Sequence, residues 1–471
     1  MKIAHISSEV APWCKSGGLG DVLGALPAAQ ARAGAQVAVF LPLHRSARES
    51  ADKRGLALHP TGVTVTAHIA GHQVSGHFLA HQGADGVKTF LLDCQRFFDR
   101  DGLYADADGR SYGDNGVRYA FFCQGVLQAA SQLMGGAPDV LHAHDWQAAL
   151  IPIYLRHAPV PTVLTIHNLA YQGTFHKDLI SAIGLDWDVF SPSCAEFYDH
   201  LGLLKGGIAC ADAVTTVSPS YAREITTPQF GHGLHEFIRH NARRLTGIIN
   251  GIDEQEWSPE HDPHIAQNFS ATDLSGKWAC RQALQAEFGL HLEPGEPLLA
   301  VVSRFASQKG LDLIADIAPE LDAMRAGLVV LGTGDPGLEK RFAWLSGRFR
   351  RVSARIDFDV PLAHRITAGA DMFLMPSRFE PCGLNQLYAM AAGTIPVVHA
   401  VGGLADTVDH QVGFRFGHPT VDGLRWALHQ AIGRYRHDSR AWHHMMVSGM
   451  RRDFSWQGPA QQYLRLYRSL Q

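Results

Sequence analysis

Short β-branched or apolar runs alternate with longer helical stretches along this chain, and halfway along the pattern starts again. The first set of strand candidates covers 2–7, 37–41, 87–92, 140–144, 162–167 and 213–218. Helical patterns at 116–134 and 147–157 fall between them. The second set covers 245–250, 298–303, 328–332, 352–358, 372–376 and 395–399, with helical patterns at 310–324 and 383–392. Strands spaced by helices build parallel βαβ units. The stretch 251–277 is rich in Pro, Asp, Glu, Ser and His and has no clear period, so it reads as a connector. The architecture expected is α/β, with two doubly wound Rossmann-like domains, 1–247 and 248–456. A terminal amphipathic helix, 457–471, either stays on the second domain or packs back on the first. Ligands of such sheets bind beyond the carboxyl ends of the strands, and with two sheets the cleft between them is the default site.

The 471 residues are 46% hydrophobic and 18% charged, a balance that supports full cores and excludes a disordered chain. The formal charge is −4 and no Lys/Arg run occurs, so neither nucleic acid nor a membrane surface is an expected partner. An anionic ligand must therefore be held by local charges. Met1-Lys-Ile-Ala-His-Ile-Ser7 reads as a strand, not as a signal peptide. Seven scattered cysteines, without a CxxC pair, fit reduced thiols and a cytoplasmic location.

Three stretches carry chemistry. The first strand runs into Glu9-Val-Ala-Pro-Trp-Cys-Lys15-Ser-Gly-Gly-Leu-Gly-Asp21, and a helical pattern follows. Glycines opening a helix after a strand let backbone N–H groups approach an anion, and Lys15 adds a full charge. The spacing is neither GxGxxG nor a Walker A sequence. By itself this loop is also what any tight turn looks like. Val301-Val-Ser-Arg304-Phe-Ala-Ser-Gln-Lys309-Gly310 repeats the layout in the second half. Arg304 offers a planar fork for phosphate oxygens and Lys309 a point charge. Cations at the ends of two sheets suggest a diphosphate held between domains. The third stretch is Met375-Pro-Ser-Arg-Phe-Glu380-Pro-Cys-Gly-Leu-Asn385. A helix start suits phosphate, and a carboxylate beside an anion site needs a reason, which sugar hydroxyls supply. Glu is a poor N-cap, so capping explains Glu380 less well.

Together these motifs resemble the bacterial glycogen synthase and plant starch synthase family, retaining glycosyltransferases of the GT-B fold. The other matching blocks are His144-Asp-Trp146, Thr165-Ile-His-Asn-Leu-Ala-Tyr-Gln-Gly173, Ile249-Asn-Gly-Ile-Asp253 and Phe454-Ser-Trp456. They stand in family order along essentially the whole chain.

The resemblance implies transfer of glucose from ADP-glucose to the non-reducing end of an α-1,4-glucan, with retention and with no metal or other cofactor. It places Lys15, Arg304 and Lys309 at the diphosphate. Gly18, Gly383 and Leu384 add backbone donors, with Cys382 beside them. Asp21 approaches the ribose and Phe358 stacks on adenine, where relatives often carry Tyr. His167 and Asn168 line the glucose, and Asp145 and Asn250 contact glucose or acceptor. Glu380 binds glucose hydroxyls and supports the oxocarbenium-like transition state. The catalytic set is thus Glu380, His167, Lys15, Arg304 and Lys309.

Two positions depart from the family pattern. Asn385 stands where relatives commonly carry Thr, which bears on phosphate contacts. Tyr388 stands where many two-Rossmann transferases place a second Glu for the ribose, leaving that contact to another group such as Asp21. Asp357-Phe-Asp359 and Asp106-Ala-Asp108 have the form of a metal-holding DxD, but that class is built on one nucleotide-binding domain. His142 and His144 share a strand face and lack a visible third ligand, so a metal there is the minor reading. Cys14 and Cys382 lie inside motifs, and alkylation that the donor blocks is expected there.

Overall fold

Buried strand residues alternate between two cores, as a period of two requires. The computed structural model describes residues 1–243 and 245–471. Contacts divide them into two units, Met1–Gly251 with Trp456–Gln471, and Ile252–Ser455. The sequence boundary at 247/248 falls slightly early, because residues 248–251 still pack with the first sheet. The terminal helix, Gln457–Arg468, belongs to the first unit. It buries Ala460, Tyr463, Leu464 and Tyr467 in the core that also holds Leu19, Leu23 and Leu26.

The first unit has a nine-stranded sheet among the described residues. Lys2–Ile6 lies at its middle, paired in parallel with Gln36–Pro42 on one side and Val140–His144 on the other. From Gln36–Pro42 the sheet continues to Lys88–Asp93, and from Val140–His144 to Thr162–Ile166 and then Ala213–Thr216. Ile3, Val37, Val39 and Val140 enter the core under the terminal helix. Ala4, Ile6, Phe40 and Leu141 enter the opposite core with the helix Asn115–Leu133. The strand order therefore reverses between Lys2–Ile6 and Val140–His144. That switch point opens a crevice at the carboxyl ends of these strands.

Two long strands were not expected. His59–Ile69 and His72–Gln82 form an antiparallel hairpin at the sheet edge. Its two-residue turn, Ala70-Gly71, has both φ angles positive, the geometry that matches strand twist. The signal was the alternation of Val63, Val65, Ala67 and Ile69, all buried, with exposed neighbours. In turn, the strand expected at 245–250 shrinks to Thr246–Gly247 and closes the first sheet instead of opening the second.

The second unit repeats the plan. Leu298–Val302 lies between Gly327–Gly332 and Met372–Met375, all parallel. The switch point is between Leu298–Val302 and Met372–Met375. Much of the connector is irregular, and its Trp257 is one of the residues that anchor it. The Trp257 ring stacks 3.9 Å from His364 and 3.8 Å from Tyr388. No described helix is long and apolar enough to cross a membrane.

Candidate functional site

In the first unit the Lys15 loop leaves the switch-point strand and enters the helix Gly18–Arg32. Gly20 must be glycine, because a Cβ there would stand 2.5 Å from the Lys15 Cβ. Gly17 caps the helix without a side-chain bond, and Gly18 and Leu19, first in the helix, have N–H groups with no intrahelical carbonyl. Lys15 and Asp21, expected at the diphosphate and at the ribose, lie side by side. Their side chains form an ion pair at 2.7 Å.

What shapes the loop is Glu9, which sequence reasoning missed. Its buried carboxylate accepts from Ser16 N at 2.5 Å, Ser16 Oγ at 2.7 Å, Gly17 N at 3.3 Å and Tyr104 Oη at 2.6 Å. A carboxylate just after the first strand and ahead of the glycine loop was the available signal. Tyr104 is the phenol that completes this cradle.

At the neighbouring strand end, Asp145 adopts φ 56°, a conformation Asp tolerates better than most residues. Its Oδ1 accepts from His167 N at 2.7 Å, tying two strand ends together. Burial pushes its carboxyl up to about 7. His167 is buried, and desolvation holds its ring near 3, so it is neutral. Asn168 accepts from Ala170 N at 3.0 Å. Asn250 is buried and its Oδ1 has no partner among the described residues, as expected of a group waiting for a ligand.

In the second unit the loops after the two switch-point strands are laced together. Gly310 has φ 65°, and a Cβ there would fall 2.2 Å from the Pro376 carbonyl. Arg378 N donates to Gln308 O at 2.8 Å and Gln308 Nε2 to Phe379 O at 3.1 Å. This places the Lys309 Nζ 2.7 Å from Glu380 Oε2, which also accepts from Ser377 Oγ at 2.9 Å. Glu380 is only 4% exposed. Arg304 is exposed and makes no ion pair among the described residues. Phe358 is 75% exposed beyond the strand Val352–Ile356, an apolar ring left in water. Cys382 is buried, and Gly383 has φ 73° just before Leu384 and the short helix Asn385–Ala391.

Several expectations need correction. One N–H of the Asn385 amide is already committed, since Nδ2 donates to Val302 O at 2.7 Å and links the two switch-point loops. Tyr388 is a core ring stacked on Trp257, so the position of the missing Glu is filled by packing. Asp359 caps the helix Val360–Gly369 by accepting from Leu362 N, and Asp106 accepts from Asp108 N and Arg110 N within its own turn. Both acidic pairs are thereby accounted for as local structure. The Cys14 thiol is buried and pushed up to about 12, so it is a poor target for alkylation. His142 and His144 do find a third histidine, His5.

Burial also sets an acid limit. Desolvation holds His5 near 4, His44 and His167 near 3, and His142 and His144 well below the usual histidine range. Between pH 6.5 and about 4 the unfolded state binds these protons and the folded state does not, so stability falls as pH falls. Each pKa unit amounts to about 1.4 kcal/mol. In the second unit, Glu296 is held near 2 by Arg351 and Arg325, and its contribution is lost only below about 4.5. Thermal unfolding followed from pH 7.5 to 5 should show a steep loss of Tm, carried by the first unit. A flat profile over that range would contradict neutral burial of the histidines.

Residues 2–240 match the family described as starch synthase catalytic domain, and residues 296–438 match glycosyl transferases group 1. The chain belongs to the starch synthase catalytic domain family. It is 47% identical to a glycogen synthase of Anaeromyxobacter dehalogenans, over 100% of this chain and 99% of the relative. It is 43% identical to a glycogen synthase of Myxococcus xanthus, over 100% and 99%. Among solved structures it is similar to the catalytic domain of starch synthase IV from Arabidopsis thaliana bound to ADP and acarbose. The TM-score is 0.90 at 31% identity, with 99% of each chain covered. A sucrose-phosphate synthase from Thermosynechococcus elongatus shares the fold at TM-score 0.63 and 19% identity. The two α/β units are those of the GT-B glycosyltransferase fold.

Proposed function

We propose that the chain is a glycogen synthase that transfers glucose from ADP-glucose to the non-reducing end of an α-1,4-glucan, with retention of configuration and without a metal, in the cytoplasm. Relatives of that name at 41–47% identity over essentially the full chain support the reading. The observation that carries it is the Lys309–Glu380 pair at the second switch point, a cation and a buried carboxylate 2.7 Å apart. A diphosphate sugar needs both, the cation for the leaving phosphate and the carboxylate for the hydroxyls.

In this reading Lys15, Arg304 and Lys309 offset the charge that develops on the departing ADP, which is where fixed cations lower a barrier. Gly18, Leu19 and Gly383 supply backbone donors to the same oxygens. Phe358 stacks on adenine and Asp21 meets the ribose. His167, Asn168 and Asn250 hold the sugar, and Glu380 accepts from its hydroxyls as positive charge builds at the anomeric carbon. Arg304 and the lysines do the work a metal does elsewhere.

Incubation with labelled ADP-glucose, and in parallel UDP-glucose, with glycogen as acceptor tests the reading. Label enters polymer, faster from ADP-glucose, and a chelator leaves the rate unchanged. Label only in a small sugar would overturn the acceptor assignment, and strong chelator inhibition the metal independence.

A further inference from the structure

Under the terminal helix the core of the first unit encloses a polar cluster. His5, His142, His144, Thr165 and Thr215 lie on one face of four adjacent strands, and all are fully buried. Two lines of hydrogen bonds start from Gln30 of the helix Gly18–Arg32. In one, Gln30 Oε1 stands 2.7 Å from His5 Nε2, His5 Nδ1 3.0 Å from His144 Nε2, and His144 Nδ1 3.0 Å from His167 Nε2. In the other, Gln30 Nε2 donates to Tyr467 Oη at 3.2 Å, which lies 2.7 Å from His142 Nδ1. His142 Nε2 lies 2.6 Å from Thr165 Oγ1, itself 2.6 Å from Thr215 Oγ1.

A neutral imidazole carries one proton, so a line of such rings has a direction. With the Gln30 carbonyl against it, His5 must hold its proton on Nε2. Its Nδ1 is then bare and accepts from His144 Nε2–H. The bare His144 Nδ1 in turn accepts from His167 Nε2–H. The last ring is left with a bare Nδ1, which has no partner among the described residues. Reversing the Gln30 amide reverses every ring and makes the same Nδ1 a donor. Burial keeps His5, His144 and His167 neutral, so the direction is not erased by protonation.

We infer that Gln30 is a positioning residue that sets, through His5 and His144, which nitrogen of His167 bears the proton, and so whether His167 meets a sugar hydroxyl as acceptor or donor. The inference rests on the reading that His167 lines the donor glucose. Tyr467 takes part as the partner that the amide N–H of Gln30 meets on its other side. Three of the histidines stand close enough to chelate a metal. Their ring nitrogens already have hydrogen-bond partners, and no lone pair is left over in that cluster.

Ring-nitrogen resonances of the full-length enzyme labelled with 15N-histidine give the tautomers directly, assigned by comparison with His5→Asn, His144→Asn and His167→Asn variants. The wild type should show Nε2–H and bare Nδ1 at all three rings. A Gln30→Met variant should show mixed tautomers at His167 and a fall in kcat of about tenfold, the scale of one neutral hydrogen bond. Nδ1–H at His167 in the wild type, an unchanged His167 tautomer in Gln30→Met, or a stoichiometric metal in the purified enzyme would each overturn the inference. The wild-type spectrum decides even where the variants fail to fold. Undiminished glucosyl transfer in His167→Asn would instead remove His167 from the glucose site, a separate failure.

Discussion

Glu380→Gln should lower kcat for glucosyl transfer by about 10²–10³-fold, the usual cost of removing one group that stabilises transition-state charge. Glu380 is buried, and its neighbours already orient it. Ser377 Oγ and Lys309 Nζ both address Oε2, which leaves Oε1 for another donor. In the proposed complex that donor is a sugar hydroxyl. The carboxylate also faces the positive charge that builds at the anomeric carbon. Gln keeps the shape and one acceptor but loses the charge, so the fold and donor binding should change less than kcat. Steady-state kinetics with ADP-glucose and glycogen check this split. Near wild-type kcat would remove Glu380 from the reaction.

Lys15→Ala should cut kcat/KM for ADP-glucose by about 10–100-fold, the range of a hydrogen bond to a charged group. The KM for glycogen should stay near wild type. In this structure Lys15 is paired with Asp21, with side chains 36% and 29% exposed. Pairs so open to water are worth about 1 kcal/mol or less. Exchanging Asp21 for a phosphate oxygen is therefore inexpensive, and the pair is a resting state of the loop. The same substitution frees Asp21, and its repulsion of the diphosphate adds to the loss. Unchanged donor kinetics would show that Lys15 serves only the loop.

The site was legible where it depends on residues close in sequence. Lys15 to Asp21, Arg304 to Gly310 and Glu380 to Asn385 each span one strand-to-helix turn, and local chemistry names them. Glu9 was harder to see, because its partners include Tyr104, far along the chain. The second role of Asn385 was hidden for a similar reason. Its amide looks available until the Val302 carbonyl is placed beside it. The edge hairpin was missed because His, Ser and Ala dilute its alternation, although Val63 to Ile69 carried the period.

The sequence by itself determined the two doubly wound units, since strand and helix periods are local and repeat in each half. It also determined the chemistry of the loops, because charge and glycine act within a few residues. Tertiary structure alone decided where those loops come to lie, at the point where each sheet reverses its strand order. It alone brought Tyr467 to Gln30 and His142, hundreds of residues away, by returning the terminal helix to the first unit. A buried polar group must find a partner wherever the fold supplies one. No local pattern records that choice, so the line of histidines running to His167 is a property of the folded chain.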